Sequence, residues 1–208
     1  MMKLMKYLIK QPLLFVGLLL LASCSDSSKK ETTVKQNDIA AKKQKGQFVF
    51  YKDIAIRPGI NFEVVSWGKG VDSVGGYLIL MSDSLRSNYK SFSNERNGII
   101  TDAWNMDLDN DGNPEIYIEL LSKKNVRDLN VFEYADGNFN KITFPALSDR
   151  AKKTYAGNDK FVIKNGDLFR TYPIVNSKDS TEKDGTLKTI QYKLSGNTFS
   201  VSEVKDQP

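Results

Sequence analysis

The chain has 208 residues, of which 40% are hydrophobic and 26% charged, a balance typical of a globular protein. Its net charge of +5 arises outside the predicted domain, since residues 47–208 carry 21 basic and 22 acidic residues, and we therefore expect no nucleic-acid partner. The chain contains no histidine, which excludes every Ser-His and Cys-His nucleophile arrangement, and we expect a protein that is not an enzyme.

Residues 1–23 are predicted to be a bacterial lipoprotein signal peptide. Three lysines precede an apolar run at 13–21, and two small residues then lead into Cys24, the only cysteine of the chain. A membrane-spanning helix is the alternative, but the run 13–22 is shorter than the roughly 20 residues that cross a bilayer. We expect cleavage before Cys24, acylation of that cysteine, and anchoring by lipid to a membrane of the cell envelope.

Residues 24–46 comprise the lipidated cysteine and a polar segment that is rich in Lys, Ser, Thr, Asn and Gln. Within residues 25–46, Val34 and Ile39 are the only large apolar residues, so this segment is predicted to be a disordered tether. The periplasmic and the surface-exposed side of the envelope both remain open for the anchored protein. Residues 47–208 are long enough to bury one core and are predicted to form a single β-rich domain.

Period-two alternation and turn residues dominate this domain, and they predict many short strands. Asp-Gly, Asn-Gly and Gly-Asn pairs separate several of these runs and favour tight hairpin turns. A single short helix is predicted within 146–155, where Ser148 is placed to cap it. The predicted strands are 47–51, 61–67, 76–81, 98–104, 115–121, 129–134, 139–144, 160–164, 168–174, 187–194 and 198–204.

These elements predict an all-β fold. So many short strands need a second sheet, because a single sheet would leave one apolar face in water. We therefore expect an antiparallel β-sandwich or a related two-sheet meander with at most one short helix.

Residues 107–115 carry the strongest chemical signal, the sequence D-L-D-N-D-G-N-P-E. Alternating carboxylates around a glycine turn can surround a hard cation, most often Ca²⁺. An EF-hand is excluded, because position twelve is Ile118 and the flanks alternate like strands. The loop is similar to the calcium loops of integrin-like propeller repeats, and this similarity implies side-chain ligands plus one carbonyl, from Asp107, Asp109, Asp111, Glu115 and the carbonyl of Asn113.

A hairpin loop whose carboxylates only cap backbone amides is the alternative interpretation of residues 107–115. Alternating aspartates repel one another, and a cation would relieve that repulsion. We therefore expect structural Ca²⁺ as the cofactor. No propeller is predicted, because the chain has one such loop and is too short for a ring of blades of about 40–50 residues each.

Three stretches taken together resemble a known family. They are S-V-G-G-Y at 73–77, the acidic loop with I-Y-I at 116–118, and the strings G-N-D-K-F, G-D-L-F-R-T-Y-P-I and I-Q-Y-K-L within 157–194. Their order and spacing resemble the C-terminal portion of the periplasmic inhibitors of invertebrate-type lysozyme. The resemblance implies a small β-rich protein whose partner is a lysozyme.

The chain departs from that family at the inhibitory loop. The family has a Ser-Gly-x-Tyr loop after the strand that follows the acidic loop, whereas residues 122–128 read S-K-K-N-V-R-D. Lys123, Lys124 and Arg127 are the candidate partner-binding residues, because their cations could reach the carboxylates of a glycosidase cleft. A solvated basic turn is the alternative.

Two functions follow from these patterns. The leading hypothesis is a lipid-anchored envelope binding protein that recognises a lysozyme or another envelope protein. The alternative is a calcium-stabilised structural or glycan-binding envelope lipoprotein, for which Trp67 and Trp104 would serve if exposed. A glycosidase pair is a third hypothesis, but nothing in the sequence selects two members from Glu63, Glu95, Glu119 and Glu133.

Overall fold

A computed structural model describes residues 48–70, 75–175 and 183–204, all within one structural unit, Lys43–Pro208. The predicted signal peptide, Cys24 and the tether lie outside these residues. The described chain forms three antiparallel sheets of four strands each, and in each sheet strands that follow one another in the chain are neighbours.

The first sheet contains β1 (Phe50–Arg57), β2 (Ile60–Trp67), β3 (Gly76–Asp83) and β4 (Asn88–Glu95). The middle sheet contains β5 (Ile99–Met106), β6 (Glu115–Leu121), β7 (Arg127–Ala135) and β8 (Asn138–Ile142). The third sheet contains β9 (Lys160–Lys164), β10 (Asp167–Val175), β11 (Lys183–Ser195) and β12 (Thr198–Val204). A 3-10 turn, Lys123–Asn125, joins β6 to β7, and a helix, α1 (Asp149–Lys152), lies between β8 and β9.

The all-β class and the antiparallel meander are confirmed. The helix is shorter than the predicted span 146–155, although Ser148 does cap it, accepting a hydrogen bond from the Ala151 backbone N–H at 3.2 Å. Strand β4 was not among the predicted strands, because its sequence N-Y-K-S-F-S-N-E is polar and its side chains are mostly exposed. It forms because all of its residues pair with residues of β3 in an antiparallel ladder.

The third sheet adds a layer to the two-sheet arrangement that the sequence predicted. Strand β6 explains the difference, because it is buried on both faces. Ile116 and Ile118 belong to a core shared with the first sheet, whereas Tyr117 belongs to a second core shared with the third sheet. The middle sheet is therefore covered on both sides.

Aromatic side chains fill the core between the first and middle sheets. Phe62 on β2 is fully buried, and its ring centroid lies 5.6 Å from those of Tyr134 and Phe139 on the middle sheet. The hydroxyl of Tyr77 on β3 accepts a hydrogen bond from Asn130 Nδ2 on β7 at 2.9 Å. These contacts set the position of one sheet on the other.

A buried ion pair lies at the junction of the middle and third sheets. Arg170 Nε on β10 donates to Asp159 Oδ1 at 2.6 Å, and the two side chains are 4% and 0% exposed. The second oxygen of Asp159 accepts from the Arg127 backbone N–H at 3.0 Å and from the Tyr155 hydroxyl. Arg170 Nη2 also donates to the Arg127 carbonyl at 2.9 Å, so the pair is tied to β7 through the backbone.

Candidate metal centre

The acidic loop connects β5 to β6 at one end of the middle sheet. Its first aspartate, Asp107, follows directly on β5, and Glu115 is the first residue of β6. Asn110 and Gly112 both have positive φ values, 59° and 88°, and they turn the chain back on itself. The sharp turn therefore falls at the glycine that the motif places there.

Two of the five carboxylates in this region each accept two hydrogen bonds from amide groups of the loop. Asp107 accepts hydrogen bonds from the N–H groups of Asp111 and Gly112 at 3.0 and 3.1 Å. Asp111 accepts from the backbone N–H and from Nδ2 of Asn113 at 2.8 and 3.0 Å. The capping interpretation thus accounts for Asp107 and Asp111, which are both exposed.

The other three carboxylates are not satisfied in this way. Both oxygens of Asp109, Oε1 of Glu115 and Oε1 of Glu133 are buried and have no hydrogen-bond partner. Glu115 is 0% and Glu133 is 4% exposed. Buried acceptors without a partner are costly, so capping alone does not explain why these groups lie here.

The carboxylate oxygens converge to the dimensions of a cation site. One oxygen from each of Asp107, Asp109 and Glu115 lies within 4.8 Å of the others, and the same holds for Asp109, Asp111 and Glu133. Two oxygens that bind one Ca²⁺ at 2.3–2.6 Å are at most about 5 Å apart. Asp109 belongs to both groups, so the two groups adjoin.

The loop meets one cation of the protein, since the Arg57 guanidinium donates to the Gly112 carbonyl at 3.3 Å, but this contact is to the backbone and not to a carboxylate. Burial, with a smaller contribution from the charges of Asp109 and Asp107, raises the pKa of Glu115 to about 8, although the Leu108 N–H, which donates to Glu115 Oε2 at 2.8 Å, lowers it. None of the ion pairs between described residues reaches this cluster. By contrast, the buried Glu119 on the same strand is paired with Arg127.

Glu133 is the member of the cluster that sequence reasoning missed as a ligand. It lies on β7, directly opposite Glu115 in the β6–β7 register. The available signal was its phase, since Leu129 and Val131 precede it at period two on the buried face of β7. A charged residue in the buried phase of a strand indicates either a partner or a ligand.

The predicted partner-binding residues lie at the opposite end of β6. Lys123 is exposed on the 3-10 turn, and the side chain of Lys124 lies outside the part that the structure describes. Arg127 is held within the sheet, because its guanidinium donates to Glu119 and to Thr101 Oγ1, the latter at 3.1 Å. Lys123 thus lies exposed at the surface, and the guanidinium of Arg127 lies within the sheet. A groove of about 470 Å³ adjoins this turn.

The two tryptophans differ in their surroundings. Trp104 stacks on Tyr117 with a ring-centroid distance of 5.6 Å and packs against the core. Trp67 is 43% exposed at the end of β2, beside a groove that Glu95 also lines. Only Trp67 has the exposure that stacking on a sugar ring requires.

Comparison with protein-family models, with curated proteins and with solved structures finds no match to this chain. The resemblance to lysozyme inhibitors therefore stays a prediction. Across the described residues no helix has both the length and the apolar character of a membrane span. The function has to be inferred from the site itself.

Proposed function

We propose that this protein is a non-catalytic binding module of the bacterial cell envelope, held to a membrane by lipid on Cys24 and stabilised by Ca²⁺ at the acidic loop. The observation that carries the proposal is the set of buried carboxylate oxygens without partners on Asp109, Glu115 and Glu133. The apolar run before Cys24 supports the lipid anchor, and the lack of histidine supports a role without catalysis.

Calcium is the cation that the donor set favours. The side chains of the cluster offer carboxylate oxygens only, whereas zinc and copper sites in proteins generally include thiolate or imidazole ligands. Mg²⁺ requires near-ideal octahedral geometry and keeps several waters, while Ca²⁺ accepts an irregular shell of six to eight oxygens. Ligands that come from one loop and two strands form an irregular coordination shell, which fits Ca²⁺ better than Mg²⁺.

Calcium is expected to raise the melting temperature of the chain. An ion at 100 times its Kd adds about 2.7 kcal/mol to the free energy of unfolding, which corresponds to an increase of about 5–10 °C for a protein of this size. Differential scanning calorimetry with CaCl₂ and with EGTA measures the difference. Asp109→Asn should abolish it, because Asp109 belongs to both groups of converging carboxylates and neither of its oxygens has a hydrogen-bond partner.

Asp149→Asn is the matched control for this experiment. Asp149 is 95% exposed on α1 and pairs only with Lys152, so its removal should leave the calcium response unchanged. Equal melting temperatures in CaCl₂ and EGTA for the unmodified chain would contradict the calcium part of the proposal.

We propose a lysozyme as the partner of this module. The three stretches that resemble the inhibitor family support this choice, together with a cell-envelope address at which lysozymes act. The exposed Lys123 offers a cation at the position where that family carries its inhibitory loop. A cation there complements the catalytic carboxylates of a glycosidase cleft.

The purified chain is expected to inhibit one of the invertebrate-, chicken- and goose-type lysozymes in a cell-wall lysis assay. Lys123→Glu should raise the inhibition constant at least about tenfold, because a carboxylate would then face the carboxylates of the cleft. Lys164→Glu, at the exposed end of β9, is the control with the same change of charge. If none of the three types is inhibited, a lysozyme is excluded as the partner.

Glycan binding at Trp67 is the second candidate function. The exposed indole favours it, since an aromatic face beside a carboxylate is a common platform for sugar rings. A change of tryptophan fluorescence with peptidoglycan fragments, combined with no inhibition of any lysozyme, would favour this candidate.

A further inference from the structure

We infer that Glu133 is a ligand of the cation site and that a bound cation, through Glu133 and Asn197, holds the last hairpin of the third sheet against the middle sheet. This inference rests on the calcium site proposed above. It differs from the ligand set of the sequence motif, which ends at Glu115.

The register of β6 and β7 brings two carboxylates of this cluster together. Glu115 and Glu133 are directly opposed across the two strands. Opposed residues have Cβ atoms about 4.5–5.5 Å apart, and like charges in such a pair are destabilising. Both side chains are buried, and each has an oxygen without a partner. A cation held by Asp109 together with either carboxylate would offset this repulsion.

Asp109 links the two groups of carboxylates. It is the only residue shared by the two groups of converging carboxylates, one with Glu115 and the other with Glu133. Both of its oxygens are buried without partners, so it can serve each group with one oxygen. The free oxygens thus belong to Asp109, Glu115 and Glu133, while those of Asp107 and Asp111 already accept hydrogen bonds from the loop.

The distribution of free and hydrogen-bonded oxygens predicts which carboxylates contribute most to cation affinity. A carboxylate with a free buried oxygen gains most from an ion, because nothing else satisfies that oxygen. A carboxylate that accepts two N–H groups at the surface gains less. Glu133 is therefore expected to contribute more to cation affinity than Asp111, although the sequence motif contains Asp111 and not Glu133.

Glu133 also contacts the third sheet. Asn197 Nδ2 donates to Glu133 Oε2 at 3.1 Å. Asn197 has φ 60° in the turn between β11 and β12, and Phe199 after it is buried against Phe144 and Tyr192. One oxygen of Glu133 thus holds this hairpin while the other is free for the ion. An ion that fixes the Glu133 carboxylate also fixes the acceptor of Asn197.

The test is isothermal titration of CaCl₂ into the purified full chain and into variants of Glu133, Asp111, Asp109, Asp136 and Asn197. Glu133→Gln is nearly isosteric, and its amide oxygen still accepts from Asn197, so the variant removes the charge with little change of shape. We expect it to weaken binding at least about tenfold, and more than Asp111→Asn does. Asp136→Asn, three residues further on in an exposed turn, is the matched control and should bind as the unmodified chain does.

Hydrogen exchange of residues 194–199 provides the second measurement. Calcium should slow exchange in this hairpin for the unmodified chain. Asn197→Gly should lose that protection while keeping the calcium affinity within about threefold, because it removes the link, leaves the ligand and tolerates the positive φ of this turn. This variant keeps the inference testable even if Glu133→Gln does not fold.

The possible outcomes distinguish a failure of the Glu133 inference from a failure of the proposed calcium site. Calcium binding that is unchanged in Glu133→Gln but lost in Asp109→Asn would overturn the role of Glu133 and leave the calcium site standing. Calcium binding without any change of exchange at 194–199 would overturn the coupling to the hairpin. No calcium binding by the unmodified chain would overturn the proposed site, and the inference with it.

Discussion

Replacing Arg170 with methionine is expected to lower the free energy of unfolding by about 3–5 kcal/mol. The change leaves the Asp159 carboxylate fully buried, with its countercharge removed. The remaining donors, the Arg127 N–H and the Tyr155 hydroxyl, are dipoles and do not replace a full charge. Urea unfolding followed by circular dichroism measures the loss.

A double variant separates the charge effect from a packing effect. Asp159→Asn together with Arg170→Met removes both charges and should recover more than half of the loss, because no unpaired ion stays buried. The exposed pair of Asp149 and Lys152 is the comparison, and Asp149→Asn should cost less than about 1 kcal/mol. A loss below that level in Arg170→Met would show that the buried pair contributes no more than a surface pair does.

Phe62→Ala is expected to lower the free energy of unfolding by about 3–5 kcal/mol. Phe62 is fully buried, and its ring lies edge-on to Tyr134 and Phe139 across the junction of the first and middle sheets. Truncation removes this apolar surface and leaves a cavity that two rigid sheets cannot close. Denaturant unfolding of the purified chain measures the change.

Two further substitutions control for the Phe62 experiment. Phe62→Leu keeps most of the volume and should cost clearly less than Phe62→Ala. Tyr89 is 82% exposed on β4, so Tyr89→Ala should change stability by no more than about 0.5 kcal/mol. Equal losses for Phe62→Ala and Tyr89→Ala would mean that the two sheets do not share the core described above.

The strands that could be predicted from the sequence are those with clear alternation or turn pairs at their ends. The Asn165-Gly166 pair, for example, joins β9 to β10, and both residues have positive φ there. Strand β4 could not be predicted, because its pairing depends on the edge of β3 and not on its own pattern. The third layer was missed for a related reason, since only tertiary packing shows that both faces of β6 are covered.

The candidate site was predictable in its loop and not in its strands. The spacing of Asp107, Asp109 and Asp111 around Gly112 is a local pattern, and the structure forms the turn at that glycine. Glu133 is 18 residues beyond Glu115, and only the register of β6 and β7 brings the two together. The pairing of Arg127 with Glu119 is likewise a cross-strand contact that a linear pattern does not contain.

The order of strands in the three sheets has a consequence for how the chain folds. Each sheet is built from one contiguous segment, so every strand pair closes a short loop, and loop-closure entropy stays small. Hairpins can thus form in the order in which the chain emerges. The middle sheet cannot be completed alone, because its two apolar faces are buried only when the first and third sheets pack against them. A first sheet already in place would cover one of these faces and limit aggregation until the third sheet arrives.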